Sequence, residues 1–391
     1  MNQEHFSYLL LFLVMLAGAA PGVAQTTTTR ASTLRMDLYR PKMPDGQRDI
    51  EQGSDLHYGR LGRREGLWLV CDRNGGPCAN QVIFISKSTL AAARPGEMMV
   101  ATESIPLAAP TEGWAAFTQR HGGGGDAMAE LRRQFENGPR GEGPLLDLEA
   151  ITIGRSATAP QDNRLFLTTE QPNSFVLECV MTESGASARA VLTACYAYDE
   201  KEGTRGDDSN DGLEGIAWSG RPGEFFLVEE GTRAHDPSWT LLFFQRPRLM
   251  RCTLRDDRVI IDEAWSNAAT QSLWALQTGK THTLNSAARL DERTVLVADR
   301  NGGWLYVADV PSQTVRPWLN LYDKASLDLR TRLAEFPAPR RMPYVSIEGI
   351  TQDPAGHLWL IDDPAMPEAF RASCLIRMVH PPARPAPPTA Q

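Results

Sequence analysis

The stretch Leu67–Asp72 reads LWLVCD, a strand-forming run that ends in an acidic residue. The phrase recurs four more times, as Leu165–Glu170, Phe225–Glu230, Thr294–Asp299 and Leu358–Asp363. A second phrase precedes three of the copies, as Asp147–Ile151 (DLEAI), Gly212–Ile216 (GLEGI) and Ser346–Ile350 (SIEGI). A repeated unit of several short strands is typical of a β-propeller. We therefore predict an all-β propeller with one blade for each copy.

The number of copies predicts five blades, and six stay possible because the first interval between copies is the longest. The last copy is followed by only one further strand-like run, so its blade lacks an outer strand. Leu34–Tyr39 can supply that strand, which would close the ring and leave no exposed sheet edge. The propeller is expected to span residues 34–379.

Two segments depart from this repeat. Residues 111–143 contain Asp126–Glu136, a stretch of helix-forming composition between two glycine-rich runs, and we predict an insertion over one face of the disc. Residues 380–391 are rich in proline and have little to bury, so this tail is expected to be disordered.

The N-terminal residues 1–24 have the pattern of a secretory signal peptide. Tyr8–Ala20 is apolar but too short to span a bilayer, and Gly22–Ala24 offers small residues for cleavage before a polar leader at residues 25–33. Glu4, with no Lys or Arg beside it, favours the alternative of an uncleaved membrane anchor. We expect a secreted or periplasmic monomer with no stable membrane span after cleavage.

Composition and missing motifs exclude several function classes. The net charge is −8, with 48 Asp and Glu against 40 Lys and Arg, and no basic cluster predicts a nucleic-acid surface. The chain has no Gly-x-Ser-x-Gly elbow, no His-Glu-x-x-His and no Cys-x-x-Cys, which disfavours an α/β-hydrolase and a zinc site. The expected partner is a small-molecule ligand or another envelope protein.

The first candidate disulfide bond joins Cys71 and Cys78. The chain has six cysteines, and export would allow disulfides to form. Asn74–Gly75 predicts a two-residue hairpin turn, which would place Cys71 opposite Cys78. Residues paired in this way lie about 5.5 Å apart at Cα, a separation that a disulfide can bridge.

A second candidate pair is Cys179 and Cys195, which flank Thr182–Arg189 and could close another hairpin. Cys252 and Cys374 have no evident partner and are expected to be buried thiols.

Three glutamates hold the same place in the second phrase: Glu149, Glu214 and Glu348. The innermost strand of each blade lines the central channel, so these carboxylates would converge and repel one another. Ca²⁺ would relieve the repulsion, because it prefers oxygen ligands in flexible geometry. Asn285 can add a carbonyl oxygen, and the first-blade counterpart lies near Asp55–His57. The alternative is that each Glu binds backbone N–H groups between blades.

The acidic residues that end the strand phrases are candidate ligand-binding residues. A carboxylate at a strand end also readily caps the turn that follows, which is the alternative for each of them. They are Asp72, Glu170, Glu230, Asp299 and Asp363.

These motifs resemble the phytase-like (esterase-like) β-propellers and the related calcium-binding propellers of the quorum-receptor-regulated group. The resemblance spans about His57 to Val379 and rests on Leu213–Ile216, Ile347–Ile350, the looser Leu148–Ile151 and the strands that end in Asp or Glu. It implies an exported propeller with Ca²⁺ on or near the axis and hydrolysis of a phosphoester or ester.

A weaker resemblance links Asn285–Ser286 and Val297–Asp299 to the gluconolactonase and senescence-marker propellers, which place Asn and Asp at a central metal. Phytase activity itself is not expected, because a phytate site needs many basic side chains. The chain has only five Lys, and only three Arg lie within three residues after an end-acid, namely Arg73, Arg233 and Arg300.

Three functions are compatible with this sequence. In the first, bound Ca²⁺ would polarise a phosphoryl or acyl oxygen and activate water, with a neighbouring carboxylate as general base. In the second, the disc face and the insertion form a non-catalytic binding module. The third is a purely structural propeller without metal or partner.

Overall fold

A computed structural model of the protein describes residues 35–72, 78–121, 125–136, 146–170, 174–184, 187–198, 212–232, 246–276, 283–300, 302–323, 329, 346–363 and 372–386. The first ten strands are β1 (Arg35–Lys42), β2 (Gly53–Leu61), β3 (Arg64–Cys71), β4 (Gln81–Ser86), β5 (Met98–Val100), β6 (Glu103–Ala108), β7 (Leu148–Arg155), β8 (Asn163–Thr169), β9 (Phe175–Ser184) and β10 (Ser187–Ala197). The others are β11 (Leu213–Trp218), β12 (Glu224–Thr232), β13 (Arg246–Arg255), β14 (Arg258–Ile261), β15 (Leu284–Arg289), β16 (Thr294–Asp299), β17 (Trp304–Asp309), β18 (Thr314–Asn320), β19 (Ile347–Gln352), β20 (Leu358–Asp362) and β21 (Leu375–Val379).

Twenty of these strands pair into five antiparallel sheets of four. We number the sheets units 1 to 5: β2-β3-β4-β6, β7-β8-β9-β10, β11-β12-β13-β14, β15-β16-β17-β18 and β19-β20-β21-β1. Their first strands contact one another in the cyclic order β2, β7, β11, β15, β19 and back to β2. Such a ring of four-stranded sheets is a β-propeller, so the predicted fold class is confirmed. The number of blades stays a prediction, which these five units support.

The N-terminal strand closes the ring as predicted. β1 pairs antiparallel with β21, from Arg35 opposite Val379 to Tyr39 opposite Leu375. The last unit therefore takes its outer strand from the other end of the chain. Strand β10 also pairs in parallel with β6 and with β14, and β5 pairs in parallel with β1. These short pairings cover further sheet edges.

The hydrophobic core consists of five clusters, one between each two neighbouring units around the ring. In the cluster between units 2 and 3, the rings of Phe166 and Phe225 lie 4.5 Å apart. The second strand of each unit packs on both faces, so Leu67–Cys71 is fully buried at every position. A strand buried on both faces has a continuous apolar run and does not alternate. This explains the repeated phrase.

Four α-helices occur in the described residues: α1 (Lys87–Ala92), α2 (Trp114–Arg120), α3 (Gly125–Glu136) and α4 (Glu263–Leu276). The stretch with helix-forming composition, Asp126–Glu136, lies in α3. Phe117 and Leu131 are buried in the core cluster between units 1 and 2. Helix α4 packs on unit 3, where Trp265 lies 5.3 Å from Phe226.

The predicted signal peptide and polar leader lie outside the described residues. Of the proline-rich tail, residues 380–386 are described, and Arg384 pairs with Asp291 at 2.7 Å. None of the described helices is long and apolar enough to cross a membrane.

Candidate functional site

Every first strand has a β-bulge at the same place. In β11, for example, Leu213 pairs with Glu229 and Gly215 pairs with Val228, which leaves Glu214 as the extra residue. A bulge redirects a side chain and recurs next to binding and active sites. The residues at the five bulges are Ser54, Glu149, Glu214, Asn285 and Glu348. The structure thus brings the predicted metal ligands to equivalent positions and identifies Ser54 as the counterpart in unit 1.

One residue at or near the end of each second strand forms a second set of equivalent positions. Each donates its backbone N–H to the carbonyl that lies two residues before the bulge, as Glu170 does to Asp147 at 3.1 Å. The five residues are Asp72, Glu170, Glu230, Arg300 and Asp363. We call these two sets together the channel mouth.

In unit 4 this second position belongs to Arg300 and not to the predicted Asp299. The N–H of Arg300 donates to the carbonyl of Thr283 at 2.9 Å. Asp299 lies one residue earlier, and its Oδ1 accepts the N–H of Gly302 at 2.9 Å. Asp299 therefore caps a turn, the role that we named as its alternative. Asp299 instead holds the place that Thr169 has in unit 2, since each lies opposite the residue directly before the bulge.

Six carboxylates at or beside the channel mouth form two groups. One oxygen each of Glu170, Glu214 and Glu230 lies within 4.8 Å of the others. Asp72, Asp147 and Glu149 form a second group by the same measure. Sequence reasoning missed Asp147, although it begins the DLEAI phrase. Glu149 therefore lies in a different group from Glu214, which narrows the predicted ligand set.

Arg300 supplies a positive charge to the channel mouth. Its Nη1 donates to Oε1 of Glu348 at 3.0 Å, and its Nη2 donates to Oε1 of Glu230. Although burial opposes the charged form, Glu348, Glu230 and Glu214 raise the pKa of Arg300 well above its usual value. Arg300 therefore stays charged and neutralises only part of the surrounding negative charge.

The remaining charge shifts the titration of the nearby glutamates. Burial raises the pKa of Glu214 well above 4.5, and the carboxylates of Glu170 and Glu230 add to the rise. Burial also raises the pKa of Glu149, with further contributions from Glu214 and Asp147. The mouth thus holds carboxyl groups that keep protons until a cation or a rise in pH removes them.

Two buried oxygens of the channel mouth have no hydrogen-bond partner among the described residues. Asn285 is 1% exposed; its Nδ2 donates to Oε2 of Glu214 at 3.5 Å, but its Oδ1 accepts from nothing. Glu348 is 4% exposed, and its Oε2 is also without a partner. An unsatisfied buried polar atom costs about 1–3 kcal/mol, so such atoms mark sites where an ion or water binds.

A layer of small residues closes the channel below the mouth. A Cβ on Gly215 would lie 2.9 Å from Cα of Ser286, and a Cβ on Gly349 would lie 2.8 Å from Cα of Asp55. Neighbouring backbones therefore approach too closely for larger side chains. The five equivalent positions, one residue after each bulge, are Asp55, Ala150, Gly215, Ser286 and Gly349.

Asp55 holds this layer together. Its Oδ2 accepts the N–H of Ile151 at 3.1 Å and its Oδ1 accepts the hydroxyl of Ser286 at 2.8 Å. That hydroxyl accepts the N–H of Ile350 at 3.1 Å, so one carboxylate joins four units. The predicted alternative for the glutamates, a carboxylate that binds backbone N–H groups between blades, is thus the role of Asp55.

The predicted hairpin between Cys71 and Cys78 is wrong, because Leu69 pairs with Ile83 and β4 begins only at Gln81. The connection therefore spans residues 72–80, of which 73–77 lie outside the described residues. The thiols of Cys71 and Cys78 are nevertheless hydrogen-bonded, and burial raises the pKa of Cys71 well above its usual value. A disulfide between them stays a prediction.

The second cysteine pair is not opposed. A bulge lies between Leu192 and Ala194, Cys179 pairs with Leu192, and Cys195 pairs with Leu177. Thr182 pairs with Arg189, but Cys195 lies six residues from this pair and Cys179 only three, so the two cysteines do not meet. All six cysteines are buried and unbridged in this structure, including Cys252 and Cys374, for which no partner was predicted.

No protein-family model matches the chain, and no curated protein matches it. Solved β-propeller structures are similar to it at low sequence identity. The aldose sugar dehydrogenase of Escherichia coli is 10% identical over 90% of this chain and 100% of its own, with a TM-score of 0.40. The glutaminyl cyclase of Myxococcus xanthus is 9% identical over 88% and 100%, with a TM-score of 0.39.

YCF48 from Cyanidioschyzon merolae is 11% identical over 80% of this chain, with a TM-score of 0.30. The chain spans 65% of the length of that protein. Similarity of this degree does not indicate an activity. The chain is similar in fold to a group of β-propellers.

Proposed function

We propose that this propeller binds Ca²⁺ at the channel mouth and uses it to hydrolyse a phosphoester or ester, as its resemblance to the phytase-like propellers implies. One observation supports this above the others: buried Asn285 Oδ1 and Glu348 Oε2 have no hydrogen-bond partner in the part of the chain that the structure describes, and a group of carboxylates lies beside them. The available ligands are carboxylate and amide oxygens, which suit Ca²⁺ and not a soft metal.

We assign the cation to Glu214, Glu348 and Asn285, with Glu170 adjacent. Glu214 and Asn285 already touch each other, and both lie on first strands of neighbouring units. Their backbones are fixed by the hydrogen bonds of the inner strands, so these ligands are held without a flexible loop. Arg300, which binds Glu348, offsets part of the negative charge before a cation arrives.

Glu149 is the residue that we assign as general base. It is partly exposed, and burial together with Glu214 raises its pKa. A raised pKa brings a carboxylate closer to the operating pH, where general-base catalysis is most effective. A bound divalent cation would polarise the substrate oxygen and lower the pKa of a bound water.

Titration calorimetry on the full chain tests the cation site. We expect one Ca²⁺ to bind and protons to be released, because carboxyl groups with raised pKa values must ionise to become ligands. Proton release is measured by comparing two buffers of different protonation enthalpy. Glu214→Gln is expected to weaken binding by about tenfold or more, the loss of one ionic ligand. Glu97→Gln, at an exposed position, is the matched control.

Ca²⁺ binding that is absent, or equal in Glu214→Gln and Glu97→Gln, would refute the cation site. Turnover is then measured with p-nitrophenyl phosphate and p-nitrophenyl acetate. Glu149→Gln should abolish turnover and keep the Ca²⁺ affinity. If Ca²⁺ binds and neither substrate is hydrolysed, the non-catalytic binding module becomes the better interpretation.

Export is part of this proposal and rests on residues 1–24. Expression with the native N-terminus and mass spectrometry of the protein recovered outside the cytoplasm would test it. The expected N-terminal residue is Gln25. An intact Met1 on a membrane-bound protein would instead support the uncleaved anchor.

A further inference from the structure

A cavity of about 440 Å³, which we call the basal pocket, lies on the other side of the Asp55 layer from the channel mouth. Five of its lining residues hold equivalent positions, two residues beyond the layer that contains Asp55. They are His57, Thr152, Ala217, Ala288 and Thr351. The volume lies within the usual range for small-molecule sites, about 300–1,000 Å³. The layer of Asp55 separates this pocket from the channel mouth.

Glycines make room for side chains that line the basal pocket. A Cβ on Gly220 would lie 2.6 Å from Cζ of Arg289, so any larger residue at this position would displace the guanidinium. Gly220 also has a φ of 96°, which favours glycine. Two further glycines make room in the same way. An added Cβ would lie 2.8 Å from Nε2 of His57 at Gly59, and 2.8 Å from Cγ of Trp218 at Gly154.

Arg289 brings an unneutralised positive charge to the basal pocket. Its Nε donates to the carbonyl of Asp291 at 3.0 Å, and no described residue accepts a hydrogen bond from its two terminal nitrogens. The carboxylate of Asp291 is already engaged by Arg384 and by the N–H of Arg293. At the rim, Glu292 and Arg60 are both exposed and of opposite charge. Arg289 therefore has a free guanidinium edge beside the cavity.

His57 and Thr152 form the floor of the pocket. Burial lowers the pKa of His57 to about 4, so its imidazole is neutral at physiological pH. Its Nδ1 lies 3.4 Å from Oγ1 of Thr152. A neutral imidazole and a hydroxyl can donate and accept without adding charge. Trp218 adds an apolar wall.

We propose that the basal pocket binds a small organic monocarboxylate. The planar guanidinium fork matches a carboxylate through two parallel hydrogen bonds. One free guanidinium balances one negative charge, whereas a phosphate group carries up to about two at neutral pH. Trp218 contacts the apolar part of the ligand, and His57 with Thr152 orients its polar groups. This site does not depend on the cation at the channel mouth.

Calorimetry with benzoate, benzamide and inorganic phosphate as probes tests this site. Benzoate should bind about tenfold or more tightly than benzamide, its neutral counterpart of the same shape, and more tightly than phosphate. Arg289→Gln should remove that preference. Arg94→Gln, an exposed arginine outside the pocket, is the matched control and should keep it.

Glu214→Gln should leave benzoate binding unchanged, which separates this proposal from the cation site. Thermal unfolding of each variant checks that the fold is kept. Benzoate that does not bind, that binds no better than benzamide, or that binds equally to Arg289→Gln overturns the proposal. Tighter binding of phosphate than of benzoate overturns the assignment to carboxylates.

Discussion

Asp55→Ala should destabilise the whole ring, although this residue touches neither proposed ligand. Asp55 is 1% exposed and accepts hydrogen bonds from the N–H of Ile151 and the hydroxyl of Ser286. Alanine leaves both donors buried without an acceptor. Each orphaned donor costs about 1–3 kcal/mol, so the expected loss in the free energy of unfolding is about 2–6 kcal/mol.

Two effects act on this estimate in opposite directions. Burial raises the pKa of Asp55 well above its usual value, which shows that keeping the carboxylate there is costly. Removing a buried carboxylate also removes that cost. The orphaned donors outweigh it, because the backbone N–H of Ile151 lies in an inner strand and cannot turn to another acceptor. Asp55→Asn keeps the shape and one acceptor, so it should cost less than alanine.

Urea unfolding followed by circular dichroism gives these free energies. Glu97→Gln at an exposed position is the control and should lie within about 0.5 kcal/mol of the wild type. The expected order of stability is wild type, Asp55→Asn, Asp55→Ala. If Asp55→Ala is as stable as the control, the Asp55 carboxylate does not stabilise the ring. If alanine prevents folding, the asparagine variant still gives the test.

Two more predictions concern the channel mouth. Arg300→Gln removes the cation that contacts both Glu230 and Glu348, and breaking a buried ion pair costs about 3–5 kcal/mol. Thermal unfolding of Arg300→Gln should show this loss of stability in EDTA and a recovery of stability with Ca²⁺. The control is Arg377→Gln, which breaks an ion pair with buried Asp37 away from the channel mouth and should not respond to Ca²⁺. Equal responses of the two variants to Ca²⁺ would contradict the proposed site. The second prediction concerns pH. In the folded protein the pKa of Glu214 is raised above 4.5, its usual value. The stability that Glu214 contributes is therefore complete below pH 4.5 and is lost as the pH rises through the pKa of Glu214 in the folded protein. Without metal, the wild type should lose up to about 1.4 kcal/mol per pH unit more than Glu214→Gln in urea unfolding from pH 5 to pH 8, and parallel curves would show that Glu214 does not titrate in this range.

The bulge positions show how far the repeat could be followed from the sequence. The phrases DLEAI, GLEGI and SIEGI placed Glu149, Glu214 and Glu348 at one position of their strands. Asn285 followed from the spacing, but Ser54 has no phrase around it and could not be aligned. The residue that joins the units, Asp55, could not be recognised from its equivalents, because Ala150, Gly215, Ser286 and Gly349 are all smaller and uncharged.

Two errors have local causes. Asn74–Gly75 predicted a tight hairpin, but pairing of Leu69 with Ile83 gives a long connection, because packing of both strands on the next sheet decides the register. Helix α4 was also missed, although Asp262 caps it by accepting the N–H of Trp265 at 3.1 Å. An acidic residue before Glu263 was the available signal.

The repeated unit of the propeller follows from the amino-acid sequence alone. Each second strand is a continuous apolar run, because it is covered on both faces, and the run ends in an acidic residue. This pattern lies within a few consecutive residues and can be seen without the fold. Tertiary structure alone decided which charges meet. In the channel mouth, Arg300 holds the position that an acidic residue holds in the other four units, because Asp299 lies one residue earlier. Asp55 joins strands that are far apart in the chain. Such contacts depend on ring closure, which sets distances that no local pattern contains.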